Sequence, residues 1–558
     1  MRQYYCCMAY RRGTEFQQTL ENKLIKILEL MPENNESQSK VLGTGALAVA
    51  TILGIILVLL GLSLTLQGNL LLILSNPVGW FNTLVDEVAF DILSTSAELL
   101  AAVLAIAITV VAIVVELAAN RYSHRITSLF VREPINIFVM TFLVIATLHS
   151  LWIALTLNTV ANAAGDVPSA GLLISMLMMT LSLVILLPYF AFVMEFLSPV
   201  NIISKIETSA SKAVSGTKSQ GVPRSKLLFL NAIDDLQDIT RRSIELSDRA
   251  VEMASINALF NLTLKYQEKV NAMASAQPEW FEVDTTIHSD LDFVSINSGS
   301  LNQIELNRIW VEVKILRQYL DIVSDSSPSS RDTTYLIAMN TRKIAVSSIK
   351  QRPNLELIDL CIRCFNSYLR ATINNSDPRT GYYIMNQYRM LAEDLMREGK
   401  YTPVKEIALH LQFYGTLGFK LQIPFLLEVA AEDVASLAAG CPKTEPELLD
   451  RLMDLLLDLD QEIKAEYQED SLLGVRRAQL KLAAELLRVG DETRANRICQ
   501  DIATERKERI EQLIDTLEQE TRSEYWEFTD RGINFSYIEP ELKAQLAALR
   551  QRIRPTDN

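Results

Sequence analysis

Two hydrophobic patterns divide the chain. In the first 200 residues apolar side chains come in long runs, at 43–65, 97–119, 135–157 and 171–197. Each is long enough to cross hydrocarbon as a helix, which takes about 20 residues. Three carry no Lys, Arg, Asp or Glu in their central part, and the run at 97–119 has Glu98 and Glu116 only at its ends. Four such runs in so short a stretch do not suit a soluble core, and they predict four transmembrane helices. From 226 onward apolar residues recur every three or four positions, as in LLFLNAIDDLQDITRRSIEL, the period of an amphipathic helix. The pattern therefore predicts an all-α integral membrane protein. A four-helix transmembrane bundle (43–200) follows a cytoplasmic N-terminal segment (1–42) and carries a large, mainly α-helical, solenoid-like cytosolic domain (226–558).

Between them, SKAVSGTKSQGVPRS (211–225) marks a linker over 201–225. Inside the helical domain, 278–303 breaks the period and is expected to hold any short β element, and 324–333 is a second break. LAEDLMREGKYTPVKEIAL and LAAELLRVGDETRANRICQ align on Gly399 and Gly490. The alignment keeps Leu391/Leu482, Ala392/Ala483, Leu395/Leu486 and Ile407/Ile498, as a helix-hairpin repeat requires.

Charge then orients the chain. The loops 66–96 and 158–170 contain no Lys or Arg. The break 120–134 holds Arg121, Arg125 and Arg132, segment 1–42 holds six basic residues, and Lys205, Lys212, Lys218, Arg224 and Lys226 follow the fourth run. By the positive-inside rule both termini and residues 200–558 are cytoplasmic. The expected location is a bacterial inner membrane or an equivalent internal membrane. The N-terminus lacks the apolar core of a signal peptide. A net charge of −14 excludes nucleic acid as a partner class, since phosphate recognition needs concentrated Lys and Arg.

No enzyme motif appears: there is no Walker A, G-x-S-x-G or H-E-x-x-H, and no EF-hand loop. The four histidines have no metal-ligand spacing. Cys361 and Cys364 form a C-x-x-C within the helix-periodic LIDLCIRCFNSYL, but zinc needs four ligands, so the pair reads as two small core residues. No catalytic residue, cofactor or metal is expected, and the protein is read as no enzyme.

Residues 92–133 carry a family resemblance. They include Ile92-Leu93-Ser94-Thr95 entering the second run, Leu117-Ala118 with Ser123 and Arg125 at its exit, and the turn of Phe130, Arg132 and Glu133. These resemble the bacterial predicted membrane proteins of domain of unknown function 2254, over about residues 40–200. Glu116 stands where Gln is usual, and His124 where Pro is common. The resemblance implies an architecture and no chemistry.

Candidate site residues follow from depth and spacing. Glu116 and Asn120 share a helix face as the second run leaves the membrane, beside Arg121, Arg125 and Arg132, and Glu195 closes the fourth run at the same depth. Two readings stand: salt bridges at the inner end, or the charged vestibule of an ion pathway. His149 is the titratable group deepest in the third run, near Thr147 and Ser150. The outer loop 66–96, broken at Asn76-Pro77 and Gly79, carries Asp86, Glu87 and Asp91, which would favour cations. Pro188 is expected to kink the fourth run. EYWEFTDRGINFSY (524–537) reads as a docking segment for the helical body or a neighbouring subunit. Two function classes remain. One is a homo-oligomeric ion channel or channel-like transport protein with a cytosolic vestibule. The alternative is an α-helical scaffold or sensory module anchored in the lipid bilayer by its spans, whose cytosolic domain binds a protein partner and which transports nothing.

Overall fold

The computed structural model describes residues 86–121, 131, 133–160, 169–196, 198–215, 221–325, 331–460, 469–525 and 531–553. Among these residues every regular element is a helix. The chain divides into two compact units, Met1–Ser204 and Lys205–Asn558. The apolar run 43–65 lies outside the described residues.

The first unit contains α1 (Asp86–Arg121), α2 (Pro134–Val160) and α3 (Ser169–Phe196). All three contain stretches long and apolar enough to cross a membrane: Asp91–Leu117, Pro134–Thr156 and Ala170–Phe196. Leucine, isoleucine and valine side chains remain exposed along their outer faces, the surface that hydrocarbon would cover. The loop expected to run to residue 96 is shorter, because α1 begins at Asp86. The Ser-Thr-Ser stretch there does not break the helix: Ser96 donates its hydroxyl to the Ile92 carbonyl at 2.6 Å, which satisfies it inside the coil. At 36 residues, α1 is about 54 Å long, well over the thickness of hydrocarbon. Helix α3 continues through Pro188.

The expected linker 201–225 is also largely helical. Helix α4 (Pro199–Ser215) starts just after α3, and Ile202, Ile203, Ile206, Ala210, Ala213 and Val214 are buried along one face. Lys265 on α6 binds Glu207 on α4 at 2.6 Å.

The second unit continues with α5 (Val222–Glu245) and α6 (Arg249–Ala276), followed by the stretch expected to hold strand. That stretch is instead a chain of helical turns: a 3-10 turn at Pro278–Phe281, α7 (Thr285–His288), α8 (Leu291–Val294) and α9 (Ser298–Asn307). The cause is capping. Asp284, Asp290 and Asn297 each accept a backbone N–H two or three residues on, restarting a helix at each. Two buried lysines fasten the stretch to the body. Lys226 of α5 reaches Asp284 at 3.0 Å and the Glu282 carbonyl at 2.8 Å. Lys314 of α10 (Trp310–Asp325) reaches Asp290 at 2.8 Å, Asp292 at 2.5 Å and, on α5, Asp234 at 2.7 Å. Trp280 and Trp310 pack with ring centroids 5.6 Å apart.

The body proceeds through α11 (Arg331–Gln351), α12 (Leu355–Asn374), α13 (Pro378–Arg397), α14 (Tyr401–Lys420), α15 (Phe425–Ala439) and α16 (Pro446–Leu457). It ends with α17 (Glu469–Val489), α18 (Glu492–Ile502), α19 (Lys507–Gln519) and α20 (Pro540–Arg552). The paired motifs fold alike. Helices α13 and α17 both end at a left-handed glycine, Gly399 (φ 69°) and Gly490 (φ 84°). The next amides, of Lys400 and Asp491, reach back to the carbonyls of Leu395 and Leu486 at 2.9 Å in both cases. Leu391/Leu482, Ala392/Ala483, Leu395/Leu486 and Ile407/Ile498 are all buried.

Helix α15 is the hub. A Cβ on Gly415 of α14 would fall 2.5 Å from that of Ala430, and one on Gly474 of α17 would meet Glu428, so glycine lets helices close on two sides of it. Its buried Asp433 takes both guanidinium arms of Arg531, at 2.6 and 3.1 Å, with Arg389 of α13 at 3.2 Å. Arg531 also lies over the Tyr382 ring, 4.4 Å from its centroid. Arg531 thus fastens the described part of the C-terminal aromatic stretch to its own helical body; residues 526–530 lie outside the described residues. Cys361 and Cys364 are buried in α12, and burial pushes the Cys364 thiol up to about 12.

Glu312 of α10 is buried, and its Oε2 has no hydrogen-bond partner. Burial pushes its carboxyl from 4.5 up to about 7, against the opposing pull of Arg352 and a hydrogen bond with Gln267. The folded value lies above the unfolded one, so the folded state holds the proton more tightly. Its stabilising effect is complete below about pH 4.5 and is lost as pH rises through 7, a span of ~3 kcal/mol. Glu312→Gln is expected to raise the thermal midpoint of the detergent-solubilised protein at pH 8 and to lose that advantage near pH 5. A midpoint difference independent of pH would show that Glu312 does not titrate in the fold.

Candidate functional site in the membrane helices

Helices α2 and α3 run antiparallel in a fixed register. At one end the Tyr189 hydroxyl donates to Asn136 Oδ1 at 2.6 Å, both residues being buried. At the other, Gly171 lies so close to Ile153 that a Cβ would stand 3.0 Å from its Cδ1. Helix α1 packs against both. Val103, Ala107 and Val114 join Val139, Leu143, Tyr189, Val193 and Phe196 in one core cluster, and Leu93 joins Ala154 and Leu172 in a second. Every interior position is apolar or a neutral polar residue. Most interior hydroxyls turn into their own helix: Thr147 donates to the Leu143 carbonyl, Thr180 to that of Met176 and Ser182 to that of Met178, at 2.7–2.9 Å.

The candidate residues do not form one site. Glu116 is exposed on α1, on the side away from the packed core. The same outward face carries Glu98, Ala101, Ala105, Thr109 and Ala112, all exposed. Asn120 and Arg121 fall in the last turn of α1, and Asp86 and Glu87 in its first. Their side chains, like Arg125 and Arg132 altogether, lie outside the described residues. Asp91 is exposed. Glu195 is half-buried at the end of α3, and its carbonyl accepts from the side chain of Asn201 at 3.1 Å. His149 is half-buried on α2, and its Nε2 is buried with no hydrogen-bond partner.

Sequence reading missed the Asn136–Tyr189 pair and the interior serines Ser96, Ser175 and Ser182. Isolated serines in an apolar run carry no signal until the register between helices is known. Among the described residues no group of three His, Cys, Asp or Glu is placed to hold a metal ion.

Residues 41–252 match the family described as predicted membrane protein (DUF2254), and the resemblance holds over that stretch. No curated protein matches. One solved structure that aligns is a circular tandem repeat protein with novel repeat topology and enhanced subunit contact surfaces. It is 14% identical, with 84% of this chain and 96% of that one covered and a TM-score of 0.26, too low for a shared fold.

The Asn136–Tyr189 bond closes one end of the α2–α3 interface. Tyr189→Phe leaves the buried amide oxygen without its donor and is expected to cost about 1–2 kcal/mol, the scale of interhelical hydrogen bonds in membranes. The readout is a lower thermal midpoint, recovered in part by adding Asn136→Leu. Unchanged stability in Tyr189→Phe would mean the bond fixes register without holding the helices together.

Proposed function

We propose that the protein is a homo-oligomeric integral membrane protein of the channel type, with α1 facing the axis between subunits. The observation that supports this reading is the outward face of α1. Ala101, Ala105, Thr109 and Ala112 form a strip of small side chains opposite the packed face. Small residues let membrane helices approach closely, whereas lipid contact alone does not call for them. Glu98 and Glu116 flank the strip, 18 positions and about 27 Å apart along the helix, close to the thickness of hydrocarbon. The interior of α1–α3 is packed, so a conduction path belongs between subunits, which usually assemble with closed symmetry. Glu116 then forms a ring at the inner mouth and attracts cations, with Asp86, Glu87 and Asp91 at the outer end. The helical body lies in the cytosol as vestibule, gate or partner-binding surface, and no catalytic step is assigned to it. Both termini are cytoplasmic on this reading.

The second reading, a membrane-anchored scaffold or sensor, draws on the same packed interior: nothing in α1–α3 alone offers an ion a route. Bilayer recordings of the purified protein separate the two. A cation-preferring conductance that Glu116→Gln makes less selective is the expected result. No conductance in any lipid, together with a monomeric mass by native spectrometry, leaves the scaffold. For topology, cysteines placed at Asn69 or Asn162 are expected to react with an impermeant reagent on intact cells, and one at Ser215 is not. The reverse pattern overturns the orientation.

A further inference from the structure

The register of α2 and α3 brings together two serines that behave unlike the other interior hydroxyls. Asn136 faces Tyr189 and Ile153 faces Gly171, so 17 steps along α2 match 18 steps back along α3, and Ser175 falls at the level of Ser150. Leu93 of α1 packs with Ala154 and Leu172, which puts Ser96 at the same level, one turn further along. Ser96 is satisfied by its own helix, as are Thr147, Thr180 and Ser182. Ser150 and Ser175 are not. Both are 0% exposed, and neither hydroxyl has a hydrogen-bond partner. A third such atom, Nε2 of His149, stands on the adjoining residue.

A buried hydroxyl left without a partner costs about 1–3 kcal/mol. A back-bond to the helix is open to any serine in a coil, and the two serines that forgo it lie at one level. The donor set identifies the ligand class. Two hydroxyls and one imidazole nitrogen are too few and too neutral for a hard cation, which takes six or more oxygens. Asp91 and Glu98, the nearby acids of α1, are exposed rather than interior, and α2 and α3 have no charged residue near this level. The set suits water, which needs two to four polar partners and little room. Three of the four side chains one turn away are small, Ala146 and Ala154 on α2 and Gly171 on α3, the fourth being Met179.

We propose that Ser150, Ser175 and His149 form a water-binding site inside the helix unit of each chain. Ser150 lies 16 positions from the start of α2 and 10 from its end, about 24 and 15 Å along the axis, so the site is deep within the span. The cluster around Val139 and Leu143 packs it on the Asn136–Tyr189 side, and Leu93, Ala154 and Leu172 pack it on the other, which is the shorter way out of the span. This site does not depend on the oligomer or on its pore.

Two measurements on full-length protein in lipid nanodiscs, where both faces are open to reagent, decide the matter. With the six native cysteines replaced, Ser175→Cys is expected to react with silver ion or a small methanethiosulfonate at least about tenfold faster than Leu143→Cys, because thiols ionise and react only where water reaches them. Equal inertness of the two overturns the site. The paired substitution Ser150→Ala with Ser175→Ala is expected to lower the thermal midpoint by removing the groups that hold the water. A raised midpoint, the result of deleting two hydroxyls that bound nothing, overturns it as well. Absence of conductance, or a selectivity unchanged in Glu116→Gln, bears on neither measurement, so the site and the channel reading fail separately.

Discussion

The membrane unit depends on one constraint: α2 and α3 pack at a single register, and both ends of their interface enforce it. At one end the hydrogen bond from Tyr189 to Asn136 fixes which turns meet. At the other, the missing side chain of Gly171 lets Ile153 sit against the α3 backbone. Slipping either helix by a turn would lose the bond and drive a side chain into the close contact. The placing of Ser150 and Ser175 at one level follows from that alignment, and the packing of Leu93 on Ala154 and Leu172 brings Ser96 to the same level. In hydrocarbon, where no water competes for backbone groups, two well-placed contacts specify an interface that the apolar packing alone would leave free to slide.

The helical body solves a different problem. It is assembled in water around buried charge: Lys314 among Asp234, Asp290 and Asp292, and Asp433 between Arg389 and Arg531. Such pairs add little net stability over apolar packing but penalise any arrangement that leaves one member alone. Each pair joins elements distant in sequence. The second unit thus has a unique packing specified by charge, as the first has one specified by a hydroxyl and a glycine.

Much of the fold was legible because periodicity and composition are local. The apolar runs from 97 to 197 and the hairpin glycines Gly399 and Gly490 were read from spacing, and the 524–537 stretch from its aromatic density, which left its own body and a neighbouring subunit both open as its docking place. The helical turns in 278–303 were not, since their signal is a series of caps at Asp284, Asp290 and Asn297, and polar caps resemble loop residues until each one is seen to restart a helix. The start of α1 at Asp86 was missed for a related reason: Ser and Thr look like helix breakers unless their hydroxyls bond back, as Ser96 does. The candidate site was the least legible part. Glu116 and His149 draw attention by their charge and rarity, whereas Ser175 acquires meaning only from the residue on another helix that it faces.

Arg531 takes its carboxylate from Asp433, 98 positions earlier in the chain. During synthesis α15 therefore emerges well before its counterion. Arg389 is already present, but the bidentate partner, and the Lys481 that binds the neighbouring Glu432 at 2.7 Å, are still to come. Until they arrive, the hub helix carries two acidic side chains that resist burial, and the body cannot close around it. Completion of the C-terminal stretch is thus the event that licenses the final packing. A chain cut short before Arg531 would leave Asp433 without its bidentate partner and the hub helix unburied, a means of distinguishing finished copies from unfinished ones at the membrane.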